Sequence, residues 1–242
     1  MTFFRRRWKL LIVAAIVAIG VGVVAVPYVY IHFINKPAPR LTFENLDKQR
    51  ASNDGTTVTE TTAALASSLD GEWKVTSGTA GYRVKETLNG QDTEGVGRTS
   101  TVAGAFTLTG PSVSAGEFSV DVSTLKSDQT RRDNQVRTRL LQTATFPKAS
   151  FVLDQPIALP SVPTEGITID ASATGTLTLH GVDKSITLTL QARRVADTIE
   201  VVATAPITFA DFSIEDPSAS PFVSVGPVGT LEVSLVLGRA AA

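Results

Sequence analysis

The chain has 242 residues, of which 43% are hydrophobic and 19% charged, so it is apolar enough to fold and long enough for one sizeable domain with additional segments. It contains no cysteine, which excludes disulfides, iron–sulfur clusters, thiolate zinc sites and a cysteine nucleophile. Residues 70–242 hold fourteen Lys or Arg and nineteen Asp or Glu, a formal net charge of −5. Because an acidic body repels phosphates, we expect no nucleic-acid partner.

Residues 10–34 predict a transmembrane signal-anchor helix. They form twenty-five consecutive positions without Asp, Glu, Lys or Arg, and about twenty residues suffice to cross a bilayer as a helix. Four basic residues lie in the preceding flank, 1–9, so the positive-inside rule keeps that flank in the cytoplasm and the C-terminal domain outside it. The alternative, a cleaved signal peptide, usually has a shorter apolar core of about 7 to 15 residues. The predicted location is therefore the cell membrane, with a single span.

Residues 35–69 predict a flexible linker. The segment contains Pro37, Pro39, a mixed-charge patch and a Thr-rich stretch, and it has no sustained apolar period apart from a short helical turn predicted at 63–69. A flexible chain of this length reaches roughly 30 to 35 Å. We therefore expect the following domain to stay close to the outer leaflet without being held against it.

Residues 70–242 predict one antiparallel β domain. Apolar residues recur at every second position, which is typical of strands with one apolar face. The alternation is clearest at 117–122, 186–193 and 230–237, and it is weaker at 79–87, 96–109, 148–153, 168–179 and 197–209. About eight strands separated by turn residues, with no helices interleaved, favour a β-sandwich or a closed barrel.

One amphipathic helix interrupts the strands at 129–142. Asp128 with Arg132 and Asp133 with Arg137 form two acid-first i, i+4 pairs. Its apolar residues form a single stripe, which consists of Val136, Leu140 and Leu141. A lone helix of this kind in a β domain is expected to close one end of a barrel or to pack on its side.

Three segments of this domain resemble the YceI-like proteins. The segment at 131–153, RRDNQVRTRLLQTATFPKASFVL, resembles the family's RD-x-x-L-R-S-x-x-F-F-x-x-x-x-x-P-x-x-x-F segment, and GTLTLHGVDKSITLTL at 175–190 resembles its G-x-L-T-I-H-G-V-T-K-x-V-x-L stretch. GEWKV at 71–75 resembles the opening tryptophan strand. The resemblance implies an eight-stranded, antiparallel, lipocalin-like barrel with one short helix. It further implies that a long apolar cavity holds a polyisoprenoid or another long-chain amphiphilic lipid in an exported protein.

The inward-facing phase of the strands predicts which side chains line the barrel. These residues are Tyr82, Val84, Phe106, Leu108, Phe118, Val120, Phe151, Leu153, Leu177, Leu179, Leu188, Leu190 and Phe209. An eight-stranded barrel is just wide enough either to be filled by its own side chains or to hold one slender ligand. Periodicity leaves both arrangements open, and the resemblance favours the ligand cavity.

Polar groups at the mouth of such a cavity would select the head group of a lipid. Arg131, Arg132 and Arg137 on the predicted helix are the candidates for meeting a phosphate. The alternative is that they pair with Asp128 and Asp133 on a solvated face of the helix.

Catalytic and metal-binding patterns are not found in the sequence. There is neither a G-x-S-x-G nucleophile elbow nor a glycine-rich nucleotide-binding motif. His180 lies where two strands meet, and the only other histidine, His32, lies in the predicted span, so we expect His180 to be a turn residue and not a metal ligand. The prediction is a protein that is not an enzyme and that has no metal and no cofactor.

A second class of protein stays open at this point. A membrane-anchored structural or interaction module would have a filled barrel and would bind a cell-envelope partner through its loops. Residues 213–227, a Pro- and Ser-rich stretch, would then be the contact loop. The sequence does not identify a protein partner.

Overall fold

The computed structural model of the chain describes residues 37–53, 69–88, 90–218 and 223–240, together with positions 25 and 29. The predicted span at 10–34 therefore lies outside the described residues, apart from Ala25 and Val29, which are exposed helical positions. Among the helices of the described residues, none is long and apolar enough to cross a membrane. The helical turn predicted at 63–69 also lies outside them, except for its last residue.

Within the described ranges the domain contains ten strands and two α-helices. The strands are β1 (Gly71–Leu88), β2 (Gln91–Thr99), β3 (Val102–Thr109), β4 (Ser112–Asp121), β5 (Lys148–Leu153), β6 (Ile157–Ala158), β7 (Ile169–Leu179), β8 (Val182–Val195), β9 (Thr198–Thr208) and β10 (Val223–Arg239). The helices are α1 (Phe43–Asn53) and α2 (Thr130–Gln135), the second of which continues as a π-helical turn, Val136–Leu140. Short 3-10 helices lie at Val122–Thr124 and Phe209–Phe212.

The sheet closes into a barrel because β1 pairs on both of its edges. One edge pairs with β10, and the other pairs with β3 over the first residues of β1 and with β2 over the remainder. The order continues from β3 through β4, β5, β7, β8 and β9 to β10, with antiparallel ladders throughout. Since β2 and β3 occupy successive lengths of the same edge, the described strands fill eight positions around the barrel. The prediction of an eight-stranded antiparallel barrel is confirmed.

Two strands are longer than the sequence pattern predicts. β1 begins at Gly71 and not near 79, and β10 begins at Val223. The stretch 213–227, expected as a loop, is therefore partly strand, because Val223 and Val225 pair with the end of β1.

The predicted helix forms, and one of its two charge pairs forms with it. Asp128 pairs with Arg132 as expected. Asp133, in contrast, accepts hydrogen bonds from the backbone N (2.8 Å) and Oγ (2.6 Å) of Ser127, so it fixes the entry to the helix instead of pairing with Arg137. The expected apolar stripe faces the barrel, with Val136 and its neighbours packed into the core.

The described core consists of two apolar clusters at opposite ends of the barrel. The cluster under α2, at what we call the helix end, contains Val122, Leu125, Val136, Leu141, Ala149, Leu177, Ile207, Phe212 and Ile214. The cluster at the far end contains Leu69, Trp73, Phe106, Leu108, Ile199, Leu235 and Leu237. The indole N–H of Trp73 donates to the carbonyl of Leu69 (2.9 Å), which satisfies the buried donor of this ring. The far end is therefore closed by packed side chains.

The linker prediction is wrong for the part that the structure describes, 37–53. Helix α1 begins after Thr42, whose Oγ1 accepts a hydrogen bond from the backbone N of Asn45 (3.3 Å) in the manner of an N-cap. Leu41 and Phe43 are buried against the barrel. A segment with isolated apolar residues shows no periodicity, so only its contacts with the barrel reveal that it is ordered.

Candidate ligand-binding cavity

A cavity of about 440 Å³ lies inside the barrel. All thirteen residues predicted from the inward-facing phase line it, namely Tyr82, Val84, Phe106, Leu108, Phe118, Val120, Phe151, Leu153, Leu177, Leu179, Leu188, Leu190 and Phe209. The volume falls within the range of about 300 to 1,000 Å³ found for small-molecule sites. The barrel is thus hollow, whereas the interaction-module alternative required a filled barrel. Contact of these residues with a ligand stays a prediction.

Two glycines in β2 shape the wall of the cavity beside β1. A Cβ at Gly97 would overlap the ring of Tyr82, and a Cβ at Gly95 would overlap the carboxylate of Glu86. The absence of side chains on this face of β2 therefore lets Tyr82 and Glu86 lie flat against the strand. Replacing either glycine would push one of these groups toward the cavity.

Glu86 is a functional candidate that the sequence analysis missed. It lines the cavity and its side chain is only 6% exposed. Arg132 on α2 binds it in a bidentate manner, with Nη2 2.8 Å from Oε2 and Nε 3.2 Å from Oε1. The signal was present in the alternation, because Glu86 has the same phase as Tyr82 and Val84 along β1. A carboxylate was not expected there without a partner, and the partner is 46 residues away.

The protonation states at this end of the cavity follow from burial and pairing. Burial would lower the pKa of Arg132, but its hydrogen bonds and attraction to Glu86 outweigh that effect and raise the pKa above the usual value. The guanidinium therefore keeps its charge. Burial also raises the pKa of Tyr82 well above that of an exposed phenol, so its hydroxyl stays protonated at neutral pH.

The three arginines predicted to meet a head group lie in different environments. Arg131 is exposed, lines the cavity and forms no ion pair with any residue that the structure describes. Arg132 also lines the cavity, but Glu86 and Asp128 compensate its charge. Arg137 does not line it and donates instead to Asn134 Oδ1 on the helix (2.7 Å). The predicted trio is thus reduced to one cation available at the cavity edge.

The polar lining is concentrated at the helix end. The charged and amide side chains among the described lining residues are Glu86, Gln129, Arg131, Arg132 and Gln135. All of them lie on α2, immediately before it, or on the part of β1 that faces it. Because Arg131 is both exposed and part of the lining, the cavity reaches the surface at this end, which we call the mouth. The cavity is apolar along its length and polar at the mouth.

His180 has the structural role expected for a turn residue. It adopts a positive φ of 53° between β7 and β8, and its Nδ1 lies 3.1 Å from the carbonyl oxygen of Phe212, to which the N–H donates. The ring of Phe146 meets it edge-on, with centroids 5.0 Å apart. His180 is not among the cavity-lining residues. Across the described residues, no group of three or more His, Asp or Glu side chains is placed to hold a metal ion.

Residues 72–237 match the YceI-like domain. This match covers more than half of the chain, includes all ten strands except for their outermost residues, and includes both the cavity and α2. The chain belongs to the YceI-like family. No curated protein matches its sequence.

Solved structures with a similar fold come from three bacteria. A polyisoprenoid binding domain from Saccharophagus degradans, implicated in plant cell wall breakdown, is 15% identical with a TM-score of 0.53, over 69% of this chain and 98% of that chain. BcnA of Burkholderia cenocepacia is 19% identical, with a TM-score of 0.44 over 66% and 95% of the two chains. The YCEI protein of Campylobacter jejuni is 13% identical, with a TM-score of 0.47 over 84% and 100%. The first of these likenesses supports the barrel fold.

Proposed function

We propose that this protein is a membrane-anchored, extracytoplasmic binding protein that holds a polyisoprenoid or another long-chain amphiphilic lipid in its barrel cavity, for carriage, storage or sensing. The observation that carries the proposal is the polarity of the cavity, which is apolar along its length and has its charged and amide groups at the mouth. A lipid has the same polarity, with a long apolar chain and one polar end. Each CH₂ group moved out of water contributes about 0.8 kcal/mol, so the chain alone supplies affinity.

Membership of the YceI-like family supports a lipid as the ligand. The similar domain from Saccharophagus degradans is described as polyisoprenoid binding. The likeness in sequence is low, so it supports the class of ligand and does not select one lipid.

The groups at the mouth support binding in preference to catalysis. The carboxylate of Glu86 is held by Arg132, and the phenol of Tyr82 is kept neutral by burial. Both groups are thereby set to position a head group by hydrogen bonding and not to exchange protons near neutral pH. Arg131 is the side chain we assign to an acidic head group, because its charge has no carboxylate partner among the described residues.

Anchoring by residues 10–34 is the second element of the proposal. It rests on twenty-five consecutive uncharged positions that follow a basic flank. The barrel would then lie on the extracytoplasmic side of the cell membrane, in contact with the source of its lipid.

Native mass spectrometry of the full chain in detergent tests the lipid proposal. We expect the unmodified protein to retain a lipid adduct, and we expect Leu188→Trp to lose it, because the indole would occupy the cavity. The matched control is Thr189→Trp, since Thr189 is the exposed neighbour on the outer face of β8. An adduct absent from the unmodified protein, or retained equally by both variants, would contradict the proposal.

A further inference from the structure

Residues 37–48, which we call the strap, are bound to the outer surface of the barrel. Near its start, the carbonyl oxygen of Ala38 accepts a hydrogen bond from Arg83 Nη2 (2.8 Å), and that of Pro39 accepts one from Arg98 Nη2 (2.5 Å). The next residue, Arg40, pairs with Glu94 (3.0 Å). The first part of the strap is therefore joined to β1 and β2.

The arginines under the strap belong to a buried ion network. Arg83 is 4% exposed and its Nε lies 2.7 Å from Oε1 of Glu232, which is 2% exposed. Arg98 binds the other oxygen of the same carboxylate (2.8 Å), and Glu94 binds Arg83 Nη1 (2.7 Å). The strap carbonyls take donors that these carboxylates leave over. Since buried donors without acceptors are costly, the network requires the strap in place.

The other part of the strap is fixed over β8 and β9. Asp47 accepts two hydrogen bonds from Arg193, at 2.9 and 2.6 Å, and the same guanidinium binds Glu200 (2.7 Å). The centre of this guanidinium also lies 4.3 Å from the ring centroid of the buried Phe43. The strap is thus attached at two separate places and has a defined direction on the barrel.

That direction runs from the helix end toward the far end. Arg83, the anchor of Ala38, lies three residues before the mouth residue Glu86 on β1. Arg193 and Glu200, the anchors of Asp47, flank the turn between β8 and β9 at the far end. The chain that precedes residue 37 therefore leaves the barrel from the half that contains the mouth.

We infer that the strap holds the barrel with its mouth facing the lipid bilayer, an inference that rests on the proposed anchoring by residues 10–34. Position 34 precedes Ala38 by four residues, which span at most about 14 Å. The far end of β1 lies twelve residues from Arg83, roughly 30 Å along the axis of a tilted barrel, so it cannot be the end that meets the membrane. A flexible linker through residue 69 would have allowed either end to do so.

The rim of the mouth has a composition that suits a bilayer surface. Arg131 is exposed there, Val228 is 46% exposed at the start of β10, and Leu88 and Val223 are half-buried beside it. A cation with exposed apolar side chains fits the phosphate and acyl boundary of a membrane. In this orientation a lipid chain passes between the bilayer and the cavity without crossing open water.

Because the chain has no cysteine, single labels can measure the orientation of the full chain in liposomes whose lipids carry a nitroxide on the head group. A fluorophore at Ser224→Cys, exposed beside the mouth, should be strongly quenched, whereas one at Asp197→Cys, exposed at the far end, should be quenched several-fold less. Equal or reversed quenching would overturn the orientation.

Two further measurements separate the orientation from the anchoring and test the strap itself. If the full chain does not float with the liposomes, the anchoring proposal fails and the orientation fails with it, whereas flotation with equal quenching overturns the orientation alone. About twenty Gly and Ser residues inserted after Asn35 give free reach, so quenching at Ser224→Cys should fall to the far-end level while the thermal midpoint stays unchanged. Quenching that persists after this insertion would contradict the role of the strap.

Discussion

Glu86 and Arg132 face each other across the mouth of the cavity, with Arg132 Nη2 2.8 Å from Glu86 Oε2 and both side chains largely removed from solvent. The pair connects β1 to α2, so it fixes the helix over the mouth. It also keeps two opposite charges beside an otherwise apolar cavity. Breaking such a pair by removing one partner leaves the other charge buried without compensation.

Glu86→Gln should therefore destabilise the barrel by about 3 kcal/mol, a value near the lower end of the range for a buried pair because Asp128 still attracts Arg132. The measurement is the free energy of unfolding of a fragment covering 37–242. The control is Glu72→Gln, which removes an exposed charge paired with Lys74 and should change stability by less than about 0.5 kcal/mol. Equal effects of the two variants would mean that the Glu86 pair does not hold the helix.

Gly97→Ala should damage both folding and the cavity. The added methyl group overlaps the ring of Tyr82, so the ring must move toward the cavity, at a cost of about 1 to 3 kcal/mol for overpacking. Retained lipid should decrease together with the thermal midpoint. Gly116→Ala is the matched control, because Gly116 also lines the cavity and an added Cβ there would lie 3.5 Å from Phe118, an ordinary contact. A similar loss of lipid in both variants would contradict this account of the wall.

The barrel could be predicted from the sequence because side-chain alternation is a local property of each strand. Tyr82 and Val84 alternate with outward-facing neighbours, and the phase alone placed them in the cavity. Glu86 follows in the same phase, but its role depends on Arg132, which the fold brings to it from α2. Such a pairing has no local signature.

The strap was missed for the same physical reason. Helix α1 is polar around most of its surface, and the residues that dock it, such as Phe43, are isolated in the sequence. Their order comes from Arg193 and other side chains on the barrel. Composition therefore indicated a flexible linker where tertiary contacts produce a fixed segment.

Removing the strap should weaken the barrel. A fragment starting at Leu69 loses the burial of Leu41 and Phe43 and the carbonyl acceptors of Arg83 and Arg98. Burial of two such apolar side chains contributes about 3 kcal/mol or more, so the denaturation midpoint should be clearly lower than that of a fragment starting at Pro37. Identical midpoints would show that the strap does not stabilise the barrel.

Acid should weaken the network beneath the strap through Glu232. Burial alone would raise the pKa of this carboxyl, but hydrogen bonds from Arg83 and Arg98 outweigh burial and hold the pKa below its usual value of 4.5. A carboxyl with a lowered pKa in the folded state contributes stability that is fully present above the unfolded pKa and is lost as the pH falls through the folded pKa. The free energy of unfolding of fragment 37–242, measured from pH 7 to pH 3, should therefore fall below about pH 4.5. Glu232→Gln should be less stable at pH 7, because two arginines lose their shared carboxylate, and its stability should fall less steeply with acid. A variant with the same steep acid dependence as the unmodified fragment would show that other carboxyls, and not Glu232, control the loss.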